Sequence, residues 1–288
     1  MNYRLLNEVL IEWNESSKED SDNTFLKSED IKKSFDKCFI YKLKLNEKCR
    51  IQIFNADWPE FKKYRDKVWI KGKHIELDNK GWTVNKFEPG EYRAYIEDID
   101  KLTDTTCMFY KCTRLVSAFI PNSVSEIGKS MFHSCGRLTS VTIPNSVTTI
   151  GSFAFYYCTR LTSIEIPNSV ASIGTDAFLG CSKLTSVTIP NSVTTIGWSV
   201  FQGCTSLASI EIPNSITHIA EYTFKDCTGM TSVTIPNSVT SIGAGAFSHC
   251  NNLKTVYVED INKFKQINFA NETANPKCYG AKLIELKK

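Results

Sequence analysis

Leu161-Thr162-Ser163-Ile164-Glu165-Ile166-Pro167-Asn168-Ser169-Val170, continuing through Ile173-Gly174 and Ala177-Phe178 to Cys181, is the stretch that decides the fold. Ile164, Glu165 and Ile166 alternate as a short strand with one buried face does. Pro167 has no N–H to give to a neighbouring strand, so it ends the ladder, and Asn168 and Ser169 suit a turn because both side chains can bond nearby backbone. Val170 and Ile173 then point back inward. Gly174 suggests a positive φ, and Ala177-Phe178 forms a short helical or irregular turn before Cys181 closes the coil.

The same coil recurs at a spacing of 23 residues. Leu115, Leu138, Leu161, Leu184, Leu207, Met230 and Leu253 form one column, and Pro121, Pro144, Pro167, Pro190, Pro213 and Pro236 a second. Phe132, Phe155, Phe178, Phe201, Phe224 and Phe247 form a third, and Cys112, Cys135, Cys158, Cys181, Cys204, Cys227 and Cys250 a fourth. No single unit can bury these residues alone, so the units must stack, each covering the apolar face of the one before. With neighbouring strands about 4.8 Å apart, seven rungs give a stack of roughly 30 Å with a continuous parallel sheet along one side. Ala220 stands where the other copies carry glycine. If that position needs a positive φ, Ala220→Gly should stabilise the fold.

On these residues the chain resembles the BspA-like leucine-rich repeat family over about residues 106–258, and its end, through Asn275-Pro276 and Tyr279-Gly280-Ala281-Lys282-Leu283, is similar to the tails of such arrays. The resemblance implies a leucine-rich-repeat solenoid and a role in adhesion or partner binding at a bacterial or protozoan cell surface.

The full chain has 288 residues and a net charge of +3, which points neither to nucleic acid nor to an acidic membrane surface. Charge is unevenly spread: residues 1–105 carry 20 basic and 21 acidic side chains, residues 106–258 only 8 and 6. That shift marks a domain boundary. Leu5, Leu6, Val9, Leu10 and Trp13 lie at helical spacing, which predicts a short amphipathic helix and a charged tether over 1–20; the helix either docks on its own domain or anchors the chain to a partner. Strand-like runs at Phe39–Leu45, Arg50–Phe54, Val68–Leu77, Trp82–Phe87 and Tyr92–Ile96 predict a small antiparallel β-sandwich over 37–105. It would cover the first open edge of the solenoid, and residues 259–288 would cap the other. The whole is thus mostly β with short helical turns. No run of 18 apolar residues is present and Met1 to Asp20 does not read as a secretory signal, so a cytoplasmic or virion-associated location stands beside the cell surface.

No catalytic group emerges, and no cofactor or metal is expected. The cysteines form a ladder without C-x-x-C spacing and read as small core hydrophobes with free, slowly reactive thiols. His74, His133, His218 and His249 are dispersed and read as surface residues. What remains is surface. The outward strand column, Phe119, Thr142, Glu165, Thr188, Glu211, Thr234 and Tyr257, offers a polar platform. The variable positions just after the glycine include Tyr156, Tyr157, Trp198 and Tyr222, residue types that interfaces use as anchors. Two readings follow: a non-enzymatic adhesion or interaction module for a protein or glycan, or a structural or host-recognition component of a bacteriophage virion docked through its N-terminal part.

Overall fold

The computed structural model describes residues 39–47, 51–70, 73–96 and 102–286. The amphipathic segment containing Leu5, Leu6, Val9, Leu10 and Trp13 lies outside the described residues.

The described N-terminal part builds strands β1 (Phe39–Leu45), β2 (Val68–Ile70), β3 (Lys73–His74) and β4 (Gly90–Ile96), with one short helix, α1 (Phe61–Tyr64). They form a single antiparallel sheet in the order β3-β2-β4-β1, not the two facing sheets of a sandwich. Two of the strand-like runs contribute only isolated bridges, Gln52 with Trp82 and Leu77 with Thr83. The apolar residues of the first of these runs, Ile51, Ile53 and Phe54, serve instead as a plug. Phe54 packs between Trp58, at 4.9 Å, and Phe109 of the first rung, at 6.2 Å. Trp58 donates its indole N–H to the Asp104 carbonyl at 2.7 Å, and Glu60 Oε1 accepts from the Thr103 and Asp104 backbone and the Thr103 hydroxyl. Those bonds hold the chain leading into the repeats.

Each rung then contributes two strands: β5 (Leu115–Phe119) and β6 (Glu126–Ile127), β7 (Ser140–Thr142) and β8 (Thr149–Ile150), β9 (Ser163–Glu165) and β10 (Ser172–Ile173), β11 (Ser186–Thr188) and β12 (Thr195–Ile196), β13 (Ser209–Glu211) and β14 (His218–Ile219), β15 (Ser232–Ile235) and β16 (Ser241–Ile242). After β17 (Thr255–Val258) a helix, α2 (Ile261–Lys265), is capped by the Asp260 carboxylate, which accepts from the Asn262 and Lys263 N–H groups. Strands β18 (Asn268–Phe269) and β19 (Lys282–Glu285) add parallel to β16 and β17, so the C-terminal segment completes one further, irregular rung. At the other end β1 pairs antiparallel with β5, making the N-terminal sheet continuous with the solenoid.

Why these residue types recur is visible in what each rung gives its predecessor. Each leucine of the column is buried, and the phenylalanine rings stack with centroids 5.1 to 5.8 Å apart, close to the strand repeat. Within the turn after each proline the Val or Ile N–H donates back to the proline carbonyl, as Val170 does to Pro167 at 3.0 Å. The serine of that turn donates to the valine or isoleucine carbonyl one rung earlier, as Ser192 does to Val170 at 2.7 Å. Threonine hydroxyls repeat the device: Thr185 donates to Thr162 and Thr240 to Thr217. Short hydroxyls thus satisfy backbone carbonyls between rungs where a long charged side chain could not.

The cysteine column belongs to the same lattice. Cys135, Cys158, Cys181, Cys204, Cys227 and Cys250 are buried, and each Sγ donates to the carbonyl of the phenylalanine of the preceding rung at 3.0 to 3.4 Å. Burial pushes the Cys181 and Cys250 thiols up to about 12, so they stay protonated and can act as donors.

The reason for the glycine column differs from the sequence expectation. Gly128, Gly151, Gly174, Gly197 and Gly243 do not sit in the left-handed region. They are glycines because neighbouring rungs come together there: a Cβ on Gly174 would lie 2.5 Å from the Ser152 nitrogen, and one on Gly197 2.4 Å from the Thr175 nitrogen. Left-handed residues occur elsewhere in each rung, in two columns. One runs through Cys107, Ser130, Phe153, Asp176, Ser199, Tyr222 and Gly245, the other through Lys111, Ser134, Tyr157, Gly180, Gly203, Asp226 and His249. Only three of these fourteen are glycine, so the turn conformation is imposed by stacking on residues that do not favour it.

Candidate functional site

The strand face and the turn face hold the candidate surface residues. Along the strands the register aligns Phe119 with Thr142, Glu165 with Thr188, Glu211 with Thr234 and Tyr257 with both Thr234 and Ile284. Glu165 and Glu211 are exposed, whereas Phe119 and Tyr257 are half-buried, on strands that pair with β1 and β19 at either end of the array. These four residues are spread along the sheet and converge on no common point.

The turn face is more concentrated. Trp198, Tyr222 and Tyr157 are 61%, 44% and 48% exposed, on a molecule whose other large rings in the rungs are mostly buried in the phenylalanine ladder. For the two tyrosines the backbone sets the direction of the ring. Tyr157 and Tyr222 occupy the two left-handed columns, and each ring lies over a glycine of the next rung: a Cβ on Gly180 would meet the Tyr157 ring at 3.1 Å, and one on Gly245 the Tyr222 ring at 2.7 Å. Those two glycines are therefore the space in which an aromatic side chain lies flat against the coil. Lys225 places its ammonium 5.4 Å from the Tyr222 ring centre.

Tyr156 is half-buried and belongs to a stack that the sequence reading missed. Tyr110, His133 and Tyr156 follow one another on successive rungs with ring centroids 4.6 Å apart at both steps. Tyr157 joins at 4.7 Å and Phe153 at 5.6 Å, both from Tyr156. The signal is present in the sequence, three aromatic rings in a row at the repeat spacing, but a dispersed histidine reads as a surface residue, and His133 is not one. It is half-buried, its Nδ1 sits 2.9 Å from the Ser134 hydroxyl, and burial together with the nearby Lys111 charge lowers its pKa.

Among the described residues no group of three or more His, Cys, Asp or Glu is placed to hold a metal ion, and no helix is long and apolar enough to cross a membrane. His249 and Asp226 form a surface pair, Nδ1 to Oδ1 2.6 Å, with the Tyr279 hydroxyl accepting from the His249 N–H.

The chain matches the model of the BspA type leucine rich repeat region (6 copies) over residues 98–161 and 148–275, and it belongs to that family. Among solved structures it is similar to the T. pallidum leucine rich repeat protein TpLRR, with 29% identity over 62% of this chain and 77% of that one and a TM-score of 0.49. A leucine rich cell surface protein from Faecalibacterium prausnitzii A2-165 shares 27% identity over 57% of this chain and 65% of that one, with a TM-score of 0.34. For a leucine-rich repeat protein from Bacteroides ovatus ATCC 8483 the values are 27%, 61%, 55% and 0.37. No curated protein matches the chain.

Proposed function

We propose that the protein is a non-enzymatic binding module whose turn face, centred on Tyr157, Trp198 and Tyr222, engages a protein or carbohydrate partner in an adhesive or recognition role. The observation that carries this reading is the exposure of three aromatic rings on one side of the repeats; the other exposed large apolar side chains of the solenoid, Ile284 and Leu286, are aliphatic and lie on or directly after its last strand. Tyr and Trp combine a large apolar area with a polar edge and little rotamer freedom, which makes them the usual anchors of an interface. The short hydroxyls that cover the strand face are engaged in the inter-rung lattice or solvated, and they give that face no comparable anchor. A surface location similar to that named for the F. prausnitzii protein fits an adhesive role.

The test begins by isolating a partner. The full chain, immobilised, is exposed to a panel of extracellular matrix proteins and glycans; the Tyr157→Ala, Trp198→Ala and Tyr222→Ala variants are then measured against whatever binds. Loss of more than about tenfold in affinity per anchor, with unchanged melting temperature, is the expected result. Binding that survives all three substitutions together would move the site off this face.

A further inference from the structure

The two strand ladders of the solenoid are interrupted between the same pair of rungs. On one side the sheet runs β9-β11 and resumes as β13-β15-β17-β19; on the other it runs β6-β8-β10-β12 and resumes as β14-β16-β18. Both interruptions lie between the rung of Leu184 and the rung of Leu207. One other break occurs in the repeats, between β7 and β9, but there the second ladder continues unbroken from β6 to β12.

The sequence changes at this boundary account for it. Ala220 replaces the glycine at which rungs come together. Where Gly151, Gly174, Gly197 and Gly243 each donate an N–H to the isoleucine carbonyl one rung earlier at 2.7 to 2.8 Å, Ala220 makes no such bond among the described residues. On the other sheet Ala208 replaces the threonine whose hydroxyl, at Thr139, Thr185 and Thr231, donates to the preceding rung. Ile196, directly before the gap, is only half-buried, although its counterparts Ile127, Ile150, Ile173, Ile219 and Ile242 are buried.

The turn side, by contrast, stays closed across the same boundary. Ser199 donates its N–H to Glu221, Phe201 to Thr223 and Gly203 to Lys225 at 2.8 to 2.9 Å, and Cys227 Sγ reaches the Phe201 carbonyl at 3.1 Å. The Phe201 and Phe224 rings stand 5.8 Å apart, the widest step of their ladder but far short of the two strand spacings, about 9.6 Å, that an inserted chain would need. The gap is therefore no docking slot.

We infer that the solenoid is jointed between the Leu184 and Leu207 rungs, with Ala220 as the wedge that parts the strands and the turn-side backbone bonds as the hinge. The Ser215 hydroxyl still donates to the Val193 carbonyl at 2.5 Å, in the turn between the two ladders, so the strands part on either side of a tether; a repeat array is held by nearest-neighbour contacts and is weakest where those are fewest. Trp198 lies on one side of the joint and Tyr222 on the other, each next to the hinge bond from Ser199 to Glu221, so flexing parts the strand faces while the exposed rings of the turn face stay together. The joint does not depend on the turn face being a binding surface.

Hydrogen exchange on the full chain tests it. The amides of Ala208, Thr217 and Ala220 should exchange on the order of tenfold faster than their counterparts Thr231, Thr240 and Gly243, which donate to the preceding rung. Ala220→Gly should bring Thr217 and residue 220 back to the protection of the other rungs. Should that variant fail to fold, Gly174→Ala provides the converse: it should speed exchange at Ala171 and residue 174. Equal protection along the array in the unaltered protein, or faster exchange that neither substitution changes, would overturn the inference.

Discussion

Gly174→Ala measures how tightly the rungs are drawn together. An added Cβ would stand 2.5 Å from the Ser152 nitrogen, 2.8 Å from the Gly151 carbonyl carbon and 2.9 Å from the Ser152 Cα. These are backbone atoms, so no side chain can swing aside. Restoring an ordinary contact of about 3.5 Å requires the two rungs to part locally by about 1 Å. The bonds of Gly174 to Ile150 and of Ala171 to Thr148, each 2.8 Å, then stretch beyond hydrogen-bonding distance. Two lost bonds cost about 1 kcal/mol each if water replaces them, and up to about 3 kcal/mol each if the groups stay buried. Alanine recovers about 0.5–1 kcal/mol through the lower entropy of its unfolded chain. The net destabilisation is about 1–5 kcal/mol, a fall in melting temperature of roughly 3 °C or more for an array of this size. Urea denaturation followed by circular dichroism reads it directly. A variant as stable as the parent, or more so, would refute close approach as the reason for the glycine column.

Thiol labelling should separate the cysteines by place: of the eleven, the seven of the buried ladder stay unmodified in the native protein at pH 8, while Cys107 and Cys278, half-buried, react slowly. Modification of Cys158 or Cys181 at the rate of an unfolded control would contradict the ladder. His133 makes stability depend on pH. Its folded pKa is lowered, so below about 6.5 the unfolded chain binds the extra proton first, and stability falls as pH drops through that unfolded value. His133→Phe should flatten that part of the curve relative to the parent, and an unchanged difference between pH 7.5 and 5.5 would dismiss the histidine. Lys111→Gly, at a left-handed position with φ of 57°, should raise stability by about 0.5–1 kcal/mol in urea titration; a loss would show that the lysine's packing on Tyr110 outweighs backbone strain.

The repeat was legible because stacking forces one residue type to recur in each column. Leu161, Phe178 and Cys181 carry the same burden as their equivalents, and an unbroken spacing reports it without any structure. The sandwich misreading arose where no column exists. Arg50–Phe54 and Trp82–Phe87 alternate like strands, but Ile51, Ile53 and Phe54 are spent on plugging the end of the first rung, a role with no period of its own. Gly174 was recognised as a necessary glycine for the wrong reason, since sequence alone does not distinguish a positive φ from a crowded neighbour. The aromatic stack at His133 escaped notice because its partners, Tyr110 and Tyr156, are 23 residues away on either side and meet only once the rungs are stacked.

An interior that holds the coil together and a turn face that carries exposed rings are separable in stability. One paired denaturation measurement addresses both halves: Phe178→Ala and Trp198→Ala compared with the parent under identical conditions. Phe178 is fully buried between Phe155 and Phe201, so its truncation should cost about 3–5 kcal/mol, while that of Trp198 should fall within about 0.5 kcal/mol of zero. Equal losses for the two, or a larger one for Trp198, would contradict the division of the coil into a packed spine and a free face.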